Sequence, residues 1–422
     1  MTRIDVRSLV TPRQLSEIGT LSTRVIGLVA GLATSGITAR ALSPEGRGEY
    51  FYVIAIAAIV GSVANLGLSS ANGFFSARNP QLVRRLTVWS LAASGALGLL
   101  GATVFALAAR IPAFEGLGTR HEGVLLVLTP LTLALVQLSP LLAGQHRFGA
   151  LNLIQLGQQL GLLTACILIA LWAPSPEAFL FANSTVVLLG VLAMTLCARA
   201  PRDGAAAASA GDVNVTAVEW VNYGARAYVI LMLGTLLSRL GVVFVKTFAD
   251  PEALGIYSVS MQVWDSLSIL PSALALILFP TVVRDGTLSW EKCLTEVQRM
   301  GLIALAAAGV SAIAMYPAIR IVFGADYVDA IYPGLLFLPG FVGLSVLTAT
   351  SQFLAGIGFP RWTTFNWMIA IIILAVLGPL FVSRWGASGG AAATSVTHII
   401  LAALMLNTAR RELPRSGEPA RV

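Results

Sequence analysis

What most restricts this chain is a succession of apolar stretches, each about twenty residues long, separated by short polar breaks. A helix of that length and composition crosses the hydrocarbon of a bilayer. Twelve such stretches are present, at 20–42, 49–71, 87–109, 123–143, 150–173, 178–198, 221–245, 255–282, 299–322, 332–356, 362–383 and 387–408. Hydrocarbon offers the backbone no hydrogen-bond partner, so segments of this length are expected to be helical. They are too long for barrel strands and lack the alternation of such strands. Only 11% of the residues are charged and 56% are hydrophobic, whereas about a quarter of a soluble domain is charged. The predicted fold class is an all-α integral membrane protein with twelve transmembrane helices.

One polar stretch divides the series in the middle. Residues 199–220 begin Arg199-Ala200-Pro201-Arg202-Asp203-Gly204 and continue rich in Ala and Ser, which reads as a flexible cytoplasmic linker. It separates a six-helix lobe over 20–198 from a second over 221–408, with a lead-in at 1–19 and a tail at 409–422. The lead-in has no short apolar run ending in a cleavage site, so it is not read as a signal peptide. Two internal echoes mark the halves as repeats. Pro44-Glu45-Gly46-Arg47-Gly48-Glu49-Tyr50 returns as Pro251-Glu252-Ala253-Leu254-Gly255-Ile256-Tyr257, each lying between apolar runs. Leu142-Ala143-Gly144 followed by Asn152 returns as Leu354-Ala355-Gly356 followed by Asn366. With an even number of spans per half, such repeats run parallel, related by an axis along the membrane normal. Most of the 27 Lys and Arg residues fall on one side when both termini are cytoplasmic, which places the two Pro-Glu-x-x-Gly-x-Tyr turns on the outer face.

Several function classes are excluded. Cys166, Cys197 and Cys293 are too few and too scattered for a disulfide framework or a zinc site. The net charge of +7 reads as topology-setting Arg on cytoplasmic loops rather than as a nucleic-acid surface. No Gly-x-x-x-x-Gly-Lys-Ser/Thr is present to bind a nucleotide, and no soluble domain is large enough for a glycosyltransferase. The chain is therefore not read as an enzyme. A polysaccharide polymerase or ligase, also many-spanning, is discounted because the longest outer loop, about Arg110 to Glu122, is short.

The ordered set of motifs resembles the polysaccharide (oligosaccharide) flippase family of the multidrug/oligosaccharidyl-lipid/polysaccharide (MOP) exporter superfamily. The residues that carry the resemblance are Ala39 to Tyr50 with Asn65-Leu66-Gly67-Leu68-Ser69-Ser70-Ala71; Pro251 to Tyr257 with Leu270-Pro271-Ser272-Ala273 and Leu278-Phe279-Pro280; and Phe323-Gly324-Ala325-Asp326-Tyr327 with Gly386 to Thr394. It spans about residues 15–408. The resemblance implies two six-helix lobes around a central cavity, alternating access, and a sugar unit carried on undecaprenyl pyrophosphate from the inner to the outer leaflet of a bacterial plasma membrane. It implies no cofactor beyond coupling to a proton or sodium gradient, and polysaccharide polymerase machinery as a partner. The alternative is a drug or cation exporter of the same superfamily.

Charges inside spans are the candidate site, because each costs about 2.5–3.5 kcal/mol to insert. Arg24 lies a few residues into the first span; it either snorkels to the headgroups or, as the resemblance implies, meets the pyrophosphate. Arg226 is close to Trp220 and Tyr223 and reads as interfacial. Arg239 and Asp265 lie equally far in sequence from the turn at Glu252, hence at one depth. They form either an ion pair that locks the hairpin or a switchable pair that frees Arg239 for phosphate. Arg40 and Arg47 are rim candidates. Asn65, Gln137, Gln155, Gln158, Gln159, Gln262 and Gln352 either hydrogen-bond sugar hydroxyls or bridge helices. His398 reads as a packing residue. Three Arg against one Asp favour an anionic ligand over a cationic drug.

Overall fold

The structure is a computed structural model and describes residues 12–199, 215–284, 288–358 and 360–415. It contains α1 (Pro12–Ala41), α2 (Pro44–Ala64), α3 (Leu68–Arg78), α4 (Val83–Ala108), α5 (Glu122–Gly144), α6 (Phe148–Trp172), α7 (Pro176–Arg199), α8 (Ala217–Phe248), α9 (Pro251–Arg284), α10 (Trp290–Val322), α11 (Ile331–Gly356) and α12 (Arg361–Glu412), with short 3-10 turns between some of them. No strand occurs among the described residues. Nine of the described helical segments are long and apolar enough to cross a membrane by length and composition. The chain is a multi-pass, all-α membrane protein.

The predicted spans map onto these helices with one correction. The stretch 49–71 is not one span: α2 starts at Pro44 and ends at Ala64, and α3 follows at an angle set by the residues between. Leu66 (φ 48°) and Gly67 (φ 71°) both take left-handed backbone, which no α-helix can pass through. Asn65 holds the break by donating from Nδ2 to Ser69 Oγ at 2.9 Å. At 11 residues, α3 is too short to cross. The last two predicted spans share α12, whose 52 residues would measure about 78 Å as one straight helix, more than twice the hydrocarbon thickness, and are instead two helices in succession. It is broken at Gly386 (φ 53°, ψ −130°), in the gap foreseen between 383 and 387.

The repeated Pro-Glu-x-x-Gly-x-Tyr stretches are helix starts rather than extended turns. Pro44 and Pro251 open α2 and α9, where proline's missing N–H costs nothing. Ser43 caps the first, its Oγ accepting from Gly46 N at 3.2 Å.

The chain divides into two compact units, Met1–Thr38 with Ile56–Leu231, and Ala39–Ala55 with Met232–Val422. The first packs Leu68, Val83, Leu86, Leu138, Leu141 and Met194 into its core. The start of α8 belongs to it. Thr216 and Glu219 form a capping box there: Glu219 Oε2 accepts from Thr216 N at 2.8 Å, and Thr216 Oγ1 accepts from Glu219 N at 3.2 Å. The Thr216 N–H holds the Glu219 carboxyl below the usual range. Trp220, four residues on, donates from Nε1 to Asn72 Oδ1 at 2.8 Å, and Asn72 Nδ2 donates to Ser90 Oγ (2.7 Å) and the Gln137 carbonyl (2.8 Å). Tyr223 stacks on Phe74 with ring centroids 4.3 Å apart.

The second unit gathers Leu237, Met300, Phe353, Leu354, Leu374 and Leu401 in its core. Here the two copies of the repeated motif meet. A Cβ on Gly48 would stand 3.0 Å from Gly255 N, and one on Gly255 would run into the Pro44 carbonyl. The motif's glycine is thus a point of backbone approach between α2 and α9, and both motif tyrosines, Tyr50 and Tyr257, are buried.

Candidate substrate site

Arg239 on α8 and Asp265 on α9 form an ion pair, Nη1 to Oδ2 at 3.0 Å. The side chains remain 27% and 35% exposed, so the pair is partly buried and not sealed in the core. Trp264, the residue before Asp265 in sequence, is buried against Phe337 (5.3 Å between centroids) and against His398 (4.9 Å). His398 Nδ1 is 2.8 Å from the Thr394 carbonyl, which can only accept, so the proton is on Nδ1. That bond and the ring contact fit the packing role read for His398.

The other sequence candidates fall in different places. Arg40 caps α10: Nε donates to the Val322 carbonyl at 3.1 Å and Nη2 to the Ile321 carbonyl. A cation at the last turn of a helix offsets its orphan carbonyls and dipole. Arg47 is 3% exposed, donates from Nε to Ser258 Oγ at 2.8 Å, and lies over the rings of Phe323 (5.6 Å) and Tyr327 (5.8 Å). Asn65 is buried at the α2–α3 break, and its Oδ1 has no hydrogen-bond partner among the described residues. Arg24 and Arg226 belong to α1 and α8, but their side chains lie outside the described residues. The structure therefore brings Arg239 to Asp265 and gives Arg40 and Arg47 other partners within the same unit, while Asn65 bonds within its own.

The amides separate as well. Gln137 is fully buried, Gln158 lies against Gly190 of α7, and Gln155 and Gln159 are exposed on α6. Sequence reasoning missed that Arg47 is enclosed. The signal was its position within the repeat, one residue before the glycine where the two motif copies approach. No group of His, Cys, Asp and Glu able to hold a metal occurs among the described residues.

Solved structures share this architecture. A multidrug resistance MATE family transporter of the MOP superfamily, in an inward-facing conformation, matches with a TM-score of 0.71 at 15% identity, over 93% of this chain and 97% of that one. The lipid II flippase MurJ in an inward closed conformation matches with a TM-score of 0.68 at 13% identity, over 93% and 87%. A MOP superfamily transporter from Pyrococcus furiosus, described by a binding pocket of reverse polarity, matches with a TM-score of 0.64 at 16% identity, over 93% of each chain. No curated protein matches by sequence. At these identities the likeness is one of fold, and it defines the class: an all-helical, many-spanning membrane protein folded like these transporters. The family model described as polysaccharide biosynthesis protein matches residues 37–332, and the chain belongs to that family.

Proposed function

We propose that this protein flips a lipid-linked oligosaccharide, a sugar unit on undecaprenyl pyrophosphate, from the inner to the outer leaflet of a bacterial plasma membrane, with both termini cytoplasmic. The observation that carries the reading is the partly exposed Arg239–Asp265 pair within the spans of a polysaccharide biosynthesis family member. A guanidinium presents a fork of donors matched to phosphate oxygens. An intramembrane Arg held by one carboxylate is a pyrophosphate ligand in waiting: when the carboxylate is neutralised or draws away, the cation is released to the anion. That one of the fold relatives is a lipid II flippase supports a lipid-linked substrate. The preponderance of Arg among the intramembrane charges favours an anionic ligand over a cationic drug.

Alternating access supplies the movement, and an ion gradient resets it, with Asp265 as the group that senses the ion. Deleting the gene should leave lipid-linked oligosaccharide accumulated on the inner leaflet, read by leaflet-selective labelling; no accumulation would remove the reading. Asp265→Asn should flatten the pH dependence of transport in vesicles, and an unchanged profile would sink the coupling role.

A further inference from the structure

The exposed surface of α6 has two opposite faces. Leu153 (70% exposed), Leu168, Leu171 (74%) and Leu160 form one, and it is the face a membrane helix offers to lipid. Gln155 and Gln159 form the other, about 100–180° around the helix from those leucines. Both are exposed. A primary amide carries two donors and an acceptor, and hydrocarbon satisfies none of them. This face therefore meets water or a polar ligand inside the span. Within the same unit it is bordered by α1, where Gly27 and Gly31 leave room: a Cβ at either position would stand 3.8 Å from the Gln159 side chain.

The internal repeat supplies a control. Asn152 near the start of α6 and Asn366 near the start of α12 are equivalent, and the helices then diverge. Gln155, Gln158 and Gln159 stand where the second half has Ile369, Ile372 and Ile373. One copy has three amides on a scaffold that, in the other, folds with isoleucine at all three positions. Helix packing common to the two halves does not require the amides.

We infer that the Gln155–Gln159 face of α6, opposite Gly27 and Gly31 of α1, is a glycan subsite that holds the sugar part of the transported lipid by neutral hydrogen bonds. The inference rests on the flippase reading above. Uncharged paired donors and acceptors suit hydroxyl and acetamido groups, and being uncharged they release a sugar that must move on.

Two measurements test it. In a background with Cys166, Cys197 and Cys293 replaced by Ala, Gln155→Cys and Gln159→Cys should react with a membrane-impermeant maleimide, while Leu153→Cys and Leu160→Cys should not. Equal protection of all four would overturn the proposal. The double variant Gln155→Leu/Gln159→Leu should fold, since leucine suits a span. Native mass spectrometry then compares two probes: lipid-linked oligosaccharide extracted from cells lacking the transporter, and bare undecaprenyl pyrophosphate. The variant should bind the glycolipid about tenfold more weakly and the bare carrier as the wild type does. Unchanged glycolipid binding by the variant refutes the subsite and leaves the flippase reading standing. A wild type that binds neither probe refutes the flippase reading, and the subsite falls with it.

Discussion

At the scale of the residue, the pair Arg239–Asp265 invites the sharpest prediction. Removing one partner of a fully enclosed pair costs about 3–5 kcal/mol. These side chains are a quarter to a third exposed, so water screens much of that, and Asp265→Ala should cost about 1 kcal/mol, read as a lowered thermal midpoint in detergent. Arg239→Ala/Asp265→Ala should recover part of the loss while abolishing transport; a double variant that transports would separate the pair from function. Arg47 differs. It is enclosed, hydrogen-bonded to Ser258 and covered by two rings, so Arg47→Ala should cost about 2–3 kcal/mol, and Arg47→Met, which keeps the stem, should cost less. Equal midpoints for Arg47→Ala and the wild type would contradict that account. The sequence placed Arg239 and Asp265 at one depth because both count from the same turn. It did not distinguish Arg40 from Arg47, because their partners at residues 258 and 321–327 are remote in sequence and set by packing.

At the scale of the element, helices were legible wherever hydrocarbon leaves the backbone no choice, and the errors fall where local chemistry interrupts a long apolar run. The α2–α3 break lies inside such a run, so hydropathy passes over it; Asn65-Leu66-Gly67 was the signal, two residues able to leave the helix flanking a strained leucine. The break also receives α8. A Cβ on Gly224 would stand 2.9 Å from the Gly67 carbonyl carbon, so one glycine provides the backbone conformation and the other the clearance. Where the motif copies meet, Gly255→Val should part α2 from α9 by pressing on the Pro44 carbonyl, lowering stability by about 1–3 kcal/mol. The same change at Gly149, which has nothing within 4 Å, should be tolerated; if both variants melt alike, the approach is not what selects glycine.

At the scale of the whole molecule, the sequence shows two halves and the structure shows two units, and these do not coincide. The repeat and the linker argue for a cut near 199–220, of which 200–214 lies outside the described residues. The compact units are cut at 38/39, 55/56 and 231/232, inside α1, α2 and α8. Periodicity and composition report where the chain is apolar, not which neighbour a helix chooses, so this exchange was beyond the sequence. It predicts that residues 1–199 alone are incomplete, because Trp220 and Tyr223 close a core built from Asn72, Phe74 and Trp89. Expressed with residues 215–422 as a second chain, that fragment should co-purify with it and resist proteolysis. Expressed alone, it should be degraded. A stable lone fragment would show that the start of α8 is dispensable to the first unit.

The exchange also sets the terms for building chimaeras with a relative. A splice at the linker, the obvious seam, would seat the recipient's Pro44–Ala55 against the donor's α9, the recipient's Arg40 against the donor's α10, and the donor's Trp220 against the recipient's Asn72. Both junctions would then rest on unmatched surfaces. Swapping 1–38 together with 56–231 as one cassette needs three joins instead of one, yet leaves every glycine contact and buried amide described above with its native counterpart. A parent whose substrate preference followed that cassette, rather than the sequence half, would have inherited its specificity in pieces that are not contiguous in its gene.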